Sequence, residues 1–594
     1  MTNATQKINT GIHEVSLLGD LASFTASLAH HCTEAGLDLV TLTLSAAAPA
    51  FPPQITLAWT HPIVDIHAIW HPAIGRNRSL SPDWLSTILT SSATINAPVV
   101  CLHSASGANR LTLACSDALN PVAFKVGVVE ETAQFDCAVK FFTEPHPAIS
   151  KYEVTLRLDT RNLAYHRVLK QVQEWWAAQP GYTPAAVPET ARLPMYSTWY
   201  SFHQNLAPAE VEAQCRLAKS IGCEAVIVDD GWQNSDSQRG YASCGDWTAS
   251  PQRFPDMKAH VAAVHESGLK FLLWYALPLV GRNSAAYKRF SGKFLQFRED
   301  WGAGVLDPRF PDVRKYLIGI CENAIGAWDL DGFKLDFVDC FYPTEAARRN
   351  IGGGRDFDSV SEAADALLAE LIQNLRKIKP DVMIEFRQSY IGPLMRKYGN
   401  MFRASDCPSD AITNRVRTLD IRLLCGNTAA HADMVTWHLS DPVESAALQL
   451  LNVLFSVPQI SVRLDKVPQS HVEMLKFWLA FWRKHRDVLL DGELLPLHPE
   501  SLYPVAVASS KNKRIAVAHD EAIVPVGVAV PKELFIVNAT RAGRVVIETD
   551  ELLGGRRFET FDCQGRIVRD ENRRFQIGAH SLPIPPAGLC RITP

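Results

Sequence analysis

Carboxylate and indole side chains recur through the middle of this chain, each near the end of a short apolar run. The segments are VIVDDGWQ, CGDW, LLWYALP, DGFKLDFVD, IEFRQS and FRASDCPSD. Their candidate site residues are Asp229, Asp230, Trp232, Asp246, Trp247, Trp274, Lys334, Asp336, Arg387, Arg403 and Asp406. Carboxylates accept hydrogen bonds from hydroxyl groups, and indoles stack on the apolar face of a sugar ring. The combination predicts a carbohydrate site.

Cleavage of a glycosidic bond needs two further carboxyl groups. In the retaining reaction one attacks the anomeric carbon, and the other protonates the leaving oxygen and then activates water. The two lie about 5–5.5 Å apart in retaining enzymes. We predict that Asp336 is the nucleophile and that Asp406 is the acid/base.

The assignment of Asp336 rests on the alternation of side chains along FKLDF. In a strand this alternation places Lys334 and Asp336 on one face. A neighbouring ammonium group keeps a carboxylate ionised, as a nucleophile must be. Asp406 must instead be protonated at rest, which burial against sugar and indole would favour and the nearby Arg403 would oppose.

Each of these features has a simpler interpretation when it is taken alone. A single Asp at a strand end is more often a helix cap or a turn residue, and we expect that role for Asp339 and Asp410. The pair His431 and Asp433 could bind a metal, although no further His clusters with it. The joint occurrence of the motifs on successive strand ends favours the sugar site.

The residues from about 193 to 490 alternate short apolar strands with amphipathic helices, which predicts βαβ units. Eight strands in about 300 residues is the size of a (β/α)₈ TIM barrel, whose catalytic groups lie at the C-terminal strand ends. The fourth and sixth ends, which carry Asp336 and Asp406, then face one another across the mouth. The eight predicted strands are Met195–Trp199, Ala225–Asp229, Phe271–Ala276, Gly332–Phe337, Val382–Phe386, Met401–Ala404, Met434–Trp437 and Gln459–Val462.

The regions that flank the predicted barrel have β character. Residues 1–190 contain short alternating runs, which predict an N-terminal β-sandwich followed by a linking helix near 161–179. Residues 491–594 predict a C-terminal antiparallel β-sandwich. The barrel occupies 191–490, with predicted helices at 256–268, 311–327, 359–378 and 441–455. The short gap between the fifth and sixth strands requires a reduced helix there.

Composition excludes several other classes of protein. The 594 residues carry a formal net charge of -4 and no basic stripe, so we expect no nucleic-acid partner. The 13 Cys show no zinc or disulfide spacing, and the N-terminus has no signal-peptide pattern. The longest apolar stretch, 446–462, contains Gln, Asn and Pro, so we expect no membrane span. A cytoplasmic location is the expectation.

The ordered series VIVDDGWQ, GDW, RFPD, LLWYALPLV, LDPRFPDVRKYL and DGFKLDFVD resembles the family 36 α-galactosidases of glycoside hydrolase clan D. That family includes the plant branch of raffinose synthases and alkaline α-galactosidases, and the resemblance covers roughly residues 193–480. It implies that Asp336 in K-x-D is the nucleophile and that Asp406 in R-x-S-D is the acid/base. It further implies that Asp229, Asp230, Trp274 and Lys334 bind the sugar, and that no metal or organic cofactor is needed.

Two segments depart from the family pattern. The usual bacterial S-D-N-T-D is replaced by residues 405–410, SDCPSD, and a Cys/Gly-rich segment is replaced by residues 386–390, FRQSY. An inward Arg387 could pair with an anionic or otherwise modified sugar. The N-terminal domain is also shorter than in the large tetrameric members, so a homo-oligomer is possible but does not follow.

Four functions therefore remain open. The first is a retaining exo-α-galactosidase that acts on a small glycoside or oligosaccharide. The second is a raffinose-synthase-like transglycosylase. The third is an α-glucosidase or another α-glycosidase of modified sugars, since K-x-D-F-G-E of the neighbouring family 31 is similar to KLDFVD. The fourth is a catalytically inert barrel that binds sugar.

Overall fold

The computed structural model describes residues 4–85, 87–144, 146–234, 239–342 and 350–594. Its N-terminal strands form two six-stranded sheets whose inner faces share one hydrophobic core. The strands are β1 Ala4–Asn9, β2 Glu14–Leu18, β3 Thr25–Glu34, β4 Leu37–Ala50, β5 Ile55–Pro62, β6 Ala68–Trp70, β7 Leu89–Ser91, β8 Val99–His103, β9 Asn109–Cys115, β10 Val122–Val129, β11 Gln134–Phe141 and β12 Ile149–Asp159. The sheet orders are β1-β2-β5-β11-β10-β7 and β3-β4-β12-β9-β8-β6.

The central part is an eight-stranded parallel barrel with a small three-stranded antiparallel sheet beside it. Its strands are β13 Met195–Ser197, β14 Ala225–Val228, β15 Lys270–Ala276, β16 Leu279–Gly281, β17 Phe294–Arg298, β18 Ala303–Leu306, β19 Gly332–Asp336, β20 Met383–Arg387, β21 Met401–Arg403, β22 Ala429–His431 and β23 Gln459–Ile460. The barrel order is β22-β21-β20-β19-β15-β14-β13-β23, and single bridges from His431 to Val457 and from Val435 to Ile460 draw its two ends together.

The seventh barrel strand differs from the prediction. It is Ala429–His431, whereas the predicted segment Met434–Trp437 supplies only the Val435 bridge. The sequence pattern does not predict this strand, because its two alanines form a weakly apolar run and the run after it is more apolar. Its register is set by the sixth strand, where Arg403 pairs with His431. This correction places Asp433 beyond a strand end rather than before a strand.

Helices cover the outside of the barrel as the pattern predicts. They are α1 Tyr165–Ala177, α2 Trp199–Phe202, α3 Pro208–Ile221, α4 Met257–Glu266, α5 Ala285–Arg289, α6 Pro311–Trp328, α7 Val360–Ile378, α8 Met395–Tyr398, α9 Ala411–Leu424, α10 Val443–Leu451 and α11 Gln469–Asp491. Short 3₁₀ turns lie at Asp83–Leu85, Glu189–Arg192, Val338–Cys340 and Pro499–Ser501. The reduced helix between the fifth and sixth strands is the four-residue α8.

Local sequence explains where several of these helices begin. Ser359 accepts a hydrogen bond from the backbone N–H of Glu362 and so caps α7. Asp256 caps α4 in the same way, and Pro311 occupies the first turn of α6. No helix among the described residues combines the length and apolar character that a membrane crossing requires.

The C-terminal part is a β structure of a seven-stranded and a three-stranded sheet around a third hydrophobic core. Its strands are β24 Glu493–Leu497, β25 Val505–Ser509, β26 Lys513–Ala518, β27 Ile523–Pro525, β28 Glu533–Asn538, β29 Val545–Thr549, β30 Leu553–Phe561, β31 Ile567–Phe575, β32 Gly578–Leu582 and β33 Leu589–Thr593. Two of the pairings, β26 with β28 and β27 with β29, are parallel. The predicted fold class, a barrel flanked by two β domains, is confirmed, and the limits at 190 and 490 stay predictions.

One buried carboxylate joins the three parts of the chain. Asp420, on α9 of the barrel, accepts hydrogen bonds from Trp70 Nε1 at 2.8 Å and from Arg78 Nη2 at 2.6 Å. It also accepts one from the Tyr503 hydroxyl at 2.5 Å, across the boundary to the C-terminal part. Asp420 and Arg78 are 1% and 3% exposed, so their charges depend on each other.

Replacement of Asp420 by Ala should therefore destabilise the protein strongly. The variant leaves the Arg78 guanidinium buried without its counter-charge, which costs about 3–5 kcal/mol. Calorimetry should show a clearly lower unfolding temperature. The double variant Arg78→Met with Asp420→Leu removes both charges and should recover most of the loss. Equal destabilisation of the single and double variants would show that the ion pair does not set the stability of this junction.

Candidate active site

Strand register brings the predicted catalytic and cationic residues to one level of the barrel. Lys334 on β19 pairs with Glu385 on β20, so Asp336 lies beside Arg387 two residues further along. Arg387 in turn pairs with Arg403 on β21. Because the strands are parallel, these side chains gather at the C-terminal rim, where barrels carry their active sites.

Asp336 is the last residue of β19 and is 7% exposed. Its Oδ1 accepts hydrogen bonds from Arg387 Nε at 2.8 Å, from the Phe337 backbone N–H at 2.9 Å and from the Tyr390 hydroxyl. Its Oδ2 accepts one from Trp274 Nε1 at 3.1 Å. All four of these groups are donors, so the site suits an ionised carboxylate.

The pKa of Asp336 reflects two opposing effects. Burial alone would raise it, but the positive charges of Arg387 and Lys334 and the hydrogen bonds from Tyr390 and Trp274 hold the pKa well below its ordinary value. Asp336 is therefore a buried carboxylate that stays charged at any ordinary pH. A nucleophile requires that state.

The two acidic residues after β14 form a second hydrogen-bonded group. Asp229 Oδ2 accepts from Lys334 Nζ at 2.5 Å, and its Oδ1 accepts from the Asp230 backbone N–H at 2.9 Å. Asp230 accepts from the amides of Gln204 at 2.6 Å and Gln233 at 2.7 Å. Burial outweighs these bonds and raises the pKa of Asp230 to about 6. Lys334 thus pairs with Asp229 and acts on Asp336 through its charge.

Asp406 lies beyond β21 and binds the fully buried Arg403, whose Nη2 donates to Asp406 Oδ1 at 2.9 Å. The same guanidinium donates to Asp433 Oδ1 at 2.5 Å, and its Nε lies 3.4 Å from Glu385 Oε1. The Asp406 side chain is 49% exposed. Burial raises the pKa of Asp406, but the positive charges of Arg403, Lys334 and Arg387 together outweigh burial, and the pKa lies below its ordinary value. In the free protein the opposing influence of Arg403 therefore prevails only with the help of the other two cations.

Aromatic side chains form one wall of the site. The ring of Trp274 lies 6.4 Å from that of Tyr241, which meets Phe337 edge-on at 4.9 Å. Trp247 packs at a steep angle against Trp274 at 5.9 Å and is 6% exposed. Trp232 is fully buried, and its indole N–H donates to the backbone carbonyl of Trp274 at 2.9 Å. The structure therefore places Trp247 and Trp232 behind Trp274 as its support.

Asp246 is not brought to this cluster. Its two carboxylate oxygens accept hydrogen bonds from the backbone N–H groups of Ala285 and Ala286, at the start of α5. Asp410 caps α9 through the Thr413 backbone N–H. Asp339, three residues after Asp336, has a buried Oδ1 without a partner among the described residues, and burial raises its pKa.

The His431 and Asp433 pair is occupied by other bonds. His431 Nε2 lies 2.8 Å from the Ala191 carbonyl, and its Nδ1 lies 3.1 Å from the Gln459 amide nitrogen. Asp433 accepts from Arg403 and from the Tyr200 hydroxyl, the latter at 2.9 Å. Across the described ranges, no group of three or more His, Cys, Asp and Glu side chains is placed to hold a metal ion.

Several residues at the site were not on the predicted list. Tyr390, Gln204, Gln233, Glu385 and Tyr200 each bond a member of the cluster. Tyr390 follows the fifth strand by three residues and could have been found by reading further past that strand end. Gln204 lies beyond the first strand, where the sequence offers no carboxylate or indole run to draw attention to an amide.

The melibiase family model matches residues 189–492, just over half of the chain. Among curated relatives, the α-galactosidase AgaA of Geobacillus stearothermophilus is 25% identical over 169 residues, which cover 26% of this chain and 23% of the relative. The α-galactosidase Mel36A of Lactobacillus acidophilus is 33% identical over 93 residues, 16% of this chain and 12% of the relative. The matched segments therefore span less than a quarter of the length of these relatives.

Solved structures agree with the fold over a longer range. A variant of the GH36 α-galactosidase AgaA of Geobacillus stearothermophilus, in complex with 1-deoxygalactonojirimycin, has a TM-score of 0.65 at 15% identity. The superposed region covers 99% of this chain and 84% of the AgaA chain. The α-galactosidase TtGalA of Thermus thermophilus, in complex with stachyose, has a TM-score of 0.51 at 17% identity. The superposed region covers 80% of this chain and 99% of the TtGalA chain. Another AgaA variant is in complex with raffinose.

Removal of Arg403 should make the free energy of unfolding depend on pH. In the variant Arg403→Met, Asp433 and Glu385 lose their buried counter-charge, so their pKa values should rise further above those of the unfolded chain. Such groups remain protonated at acid pH and become unpaired charges as pH rises, so stability is lost with increasing pH. The variant should lose about 3–5 kcal/mol of unfolding free energy near pH 7 and clearly less near pH 4.5.

Urea unfolding at the two pH values measures this difference. The control is Arg417→Met, because the hydrogen bonds of Arg417 within the described residues go to the backbone carbonyls of Ser405 and Asp406. The control should lose a similar amount of stability at both pH values. A penalty for Arg403→Met that does not change with pH would contradict the proposed charge balance.

Proposed function

This chain belongs to the melibiase family, and we propose that it is a retaining exo-α-galactosidase that hydrolyses small α-galactosides. Asp336 is the nucleophile and Asp406 the acid/base of a double displacement. The observation that carries the proposal is the buried, ionised Asp336 at the rim of the barrel, with four hydrogen-bond donors aimed at it. The family match spans both carboxylates.

The first half of the reaction forms a covalent ester. An oxygen of Asp336 attacks the anomeric carbon, the bond from that carbon to the glycosidic oxygen breaks, and the departing oxygen takes the electron pair and the Asp406 proton. In the second half, water attacks the same carbon, gives its proton to Asp406 and returns the electron pair to Asp336. The two inversions give net retention.

The charge on Asp406 has to change during this cycle. Arg403 lowers its pKa in the free protein, whereas the negative charge of Asp336 raises it. A bound sugar covers the exposed half of the Asp406 carboxyl and removes its water, which raises the pKa and favours the acid form. Once Asp336 is esterified its negative charge is gone, so the pKa of Asp406 falls again. That fall suits its second task as a base.

The preference for galactose is supported by similarity to proteins that bind raffinose, stachyose and 1-deoxygalactonojirimycin. Asp229, Asp230 and Lys334 supply the charged groups that would bind sugar hydroxyls, and Trp274 offers an indole beside Asp336. Arg387 gives little support for an anionic sugar, because its Nε is bound to Asp336 and its Nη1 to the Gln388 carbonyl. The paired N–H groups that would bind a sugar carboxylate in a bidentate way are already engaged.

We also propose a cytoplasmic location for the protein. All thirteen cysteines are free thiols, twelve of them buried or half-buried and Cys32 exposed. Unpaired thiols are typical of reducing compartments.

Replacement of either carboxylate should produce a distinct kinetic defect on a dinitrophenyl α-galactoside. Asp336→Ala should lower kcat by about 10⁴-fold or more, because the nucleophile is lost. With added azide, this variant should form the β-galactosyl azide by a single inversion. Asp406→Ala should still form the ester with this good leaving group but should hydrolyse it slowly, and azide should then give the α-galactosyl azide.

The control is Asp570→Ala, a surface carboxylate in β31 of the C-terminal part, which should keep the wild-type rate. Retained activity in Asp336→Ala would contradict the nucleophile assignment. Release of β-galactose by the wild-type protein would contradict the retaining mechanism, and activity on α-glucosides alone would contradict the sugar preference.

A further inference from the structure

The two oxygens of the Asp336 carboxylate lie in different surroundings. Oδ1 accepts three hydrogen bonds, from Arg387 Nε, the Tyr390 hydroxyl and the Phe337 backbone N–H. Oδ2 accepts a single one, from Trp274 Nε1 at 3.1 Å, the longest of the distances that these donors make. An oxygen with three donors has its lone pairs engaged, whereas an oxygen with one retains a free lone pair.

We propose that Arg387 and Tyr390 are positioning residues that hold Oδ1 as the non-reacting oxygen of Asp336 and leave Oδ2 to attack the anomeric carbon. This inference rests on the proposed glycosidase function and adds to it the identity of the attacking atom. It also gives a task to the segment of residues 386–390, which departs from the usual family pattern.

The geometry of Arg387 favours a positioning role over a role in sugar binding. Its guanidinium is fixed at Nε by Asp336 and at Nη1 by the Gln388 carbonyl at 3.1 Å. The guanidinium carbon lies 5.6 Å from the ring centre of Phe337 and 5.3 Å from that of Tyr390. A cation held between two rings and two acceptors keeps one orientation, which is what a fixed carboxylate requires.

Tyr390 is the second side chain that binds Oδ1. Its side chain is fully buried, and its hydroxyl donates to Asp336 Oδ1. A fully buried hydroxyl has no water as an alternative partner, so the proposal requires that its bond to Oδ1 persist through the reaction. The loop that carries Tyr390 is held by the N-terminal sandwich, because the backbone N–H of Asn96 donates to the Ser389 carbonyl at 2.7 Å.

Gly392 allows this support from the sandwich. A Cβ at that position would lie 2.5 Å from the backbone carbonyl oxygen of Asn96, so only glycine permits the two backbones to approach. A loop of the N-terminal sandwich, between β7 and β8, thus holds the barrel loop whose Tyr390 binds Asp336.

The chemistry of the two steps gives the donors a purpose. When Oδ2 attacks, the electron pair of Oδ2 forms the new bond to the anomeric carbon, and Oδ1 becomes the carbonyl oxygen of the ester. When water displaces Asp336, the bond between Oδ2 and that carbon breaks, and its electron pair returns to a carboxylate whose charge is shared with Oδ1. Donors on Oδ1 therefore stabilise Asp336 as a leaving group in the second step.

The titrating groups around Asp336 determine how a variant should respond to pH. They come from its own strand, the turn after it, the fifth and sixth strand ends and the loop after β14: Lys334, Asp339, Cys340, Arg387, Tyr390, Asp406 and Tyr241. Without Arg387, the charge of Lys334 and the hydrogen bonds from Tyr390 and Trp274 are left to oppose the effect of burial on the pKa of Asp336. The pKa of Asp336 should then rise, and activity should fall on the acid side of the pH profile.

The kinetic test uses Arg387→Met and Tyr390→Phe on the full chain with a dinitrophenyl α-galactoside. Arg387→Met should lower kcat by about 10²–10³-fold and Tyr390→Phe by about 10-fold. In Arg387→Met the acid limb of kcat/KM should move to higher pH, while in Arg387→Lys, which retains the charge, the limb should move less. A purely structural residue would lower the rate without moving this limb.

Two matched controls come from the same stretch of chain. Arg396 is buried and bonds Gln173 and Thr428, and the Tyr398 hydroxyl donates to the Asp365 carboxylate. Arg396→Met and Tyr398→Phe should leave the shape of the pH profile unchanged. Variants that match the wild-type protein in kcat and in acid limb would overturn the inference, whereas a wild-type protein inactive on every α-galactoside would overturn the proposed function as well.

A structure of the wild-type protein with the ester trapped by 5-fluoro-α-galactosyl fluoride identifies the attacking atom directly. We expect the anomeric carbon on Oδ2 of Asp336, with Arg387 and Tyr390 still bonded to Oδ1. A bond from the sugar to Oδ1, or an Arg387 that has turned away from the ester, would overturn the inference even if the protein is an active α-galactosidase.

Discussion

A carboxylate that leaves water loses hydration worth several kcal/mol, and a protein must replace that hydration or let the group take up a proton. Asp336 is 7% exposed and remains charged because four donors and two cations take the place of water. This one desolvated charge determines much of the site around it. Lys334 must lie on the inner face of its strand, the buried Tyr390 must donate its hydroxyl to the carboxylate, and Trp274 must donate its indole N–H.

The replacement of water is possible only because the barrel supplies neighbours at fixed spacing. Parallel strands in register place Asp336, Arg387 and Arg403 on three adjacent strands at one level. The cations need counter-charges in turn, and the structure provides Asp229 for Lys334 and Asp433 for Arg403. The charged layer therefore extends across the mouth as an alternating network. The N-terminal sandwich supports this network from outside the barrel, because the backbone of Asn96 binds the loop that carries Tyr390.

The sequence predicts the parts of this arrangement that follow from periodicity. Alternating strands and helices indicate a barrel, and strand ends indicate the rim, so Asp336, Arg387 and Arg403 could be named in advance. Long-range contacts were not accessible in this way. Trp232 and Asp246 have the residue types of a sugar site, yet the first supports Trp274 and the second binds the start of α5. The strand Ala429–His431 was hidden because alanine carries almost no hydrophobic signal.

The same network explains how two carboxylates of one residue type can do opposite work. Asp336 is buried and accepts hydrogen bonds from donors that belong to the protein, so it is already ionised before the sugar binds. Asp406 is half exposed and bound to a guanidinium shared with Asp433 and Glu385, so its proton affinity depends on what covers it and on the charge of Asp336. A fixed charge suits the residue that attacks. A variable one suits the residue that must give up a proton and then take one back.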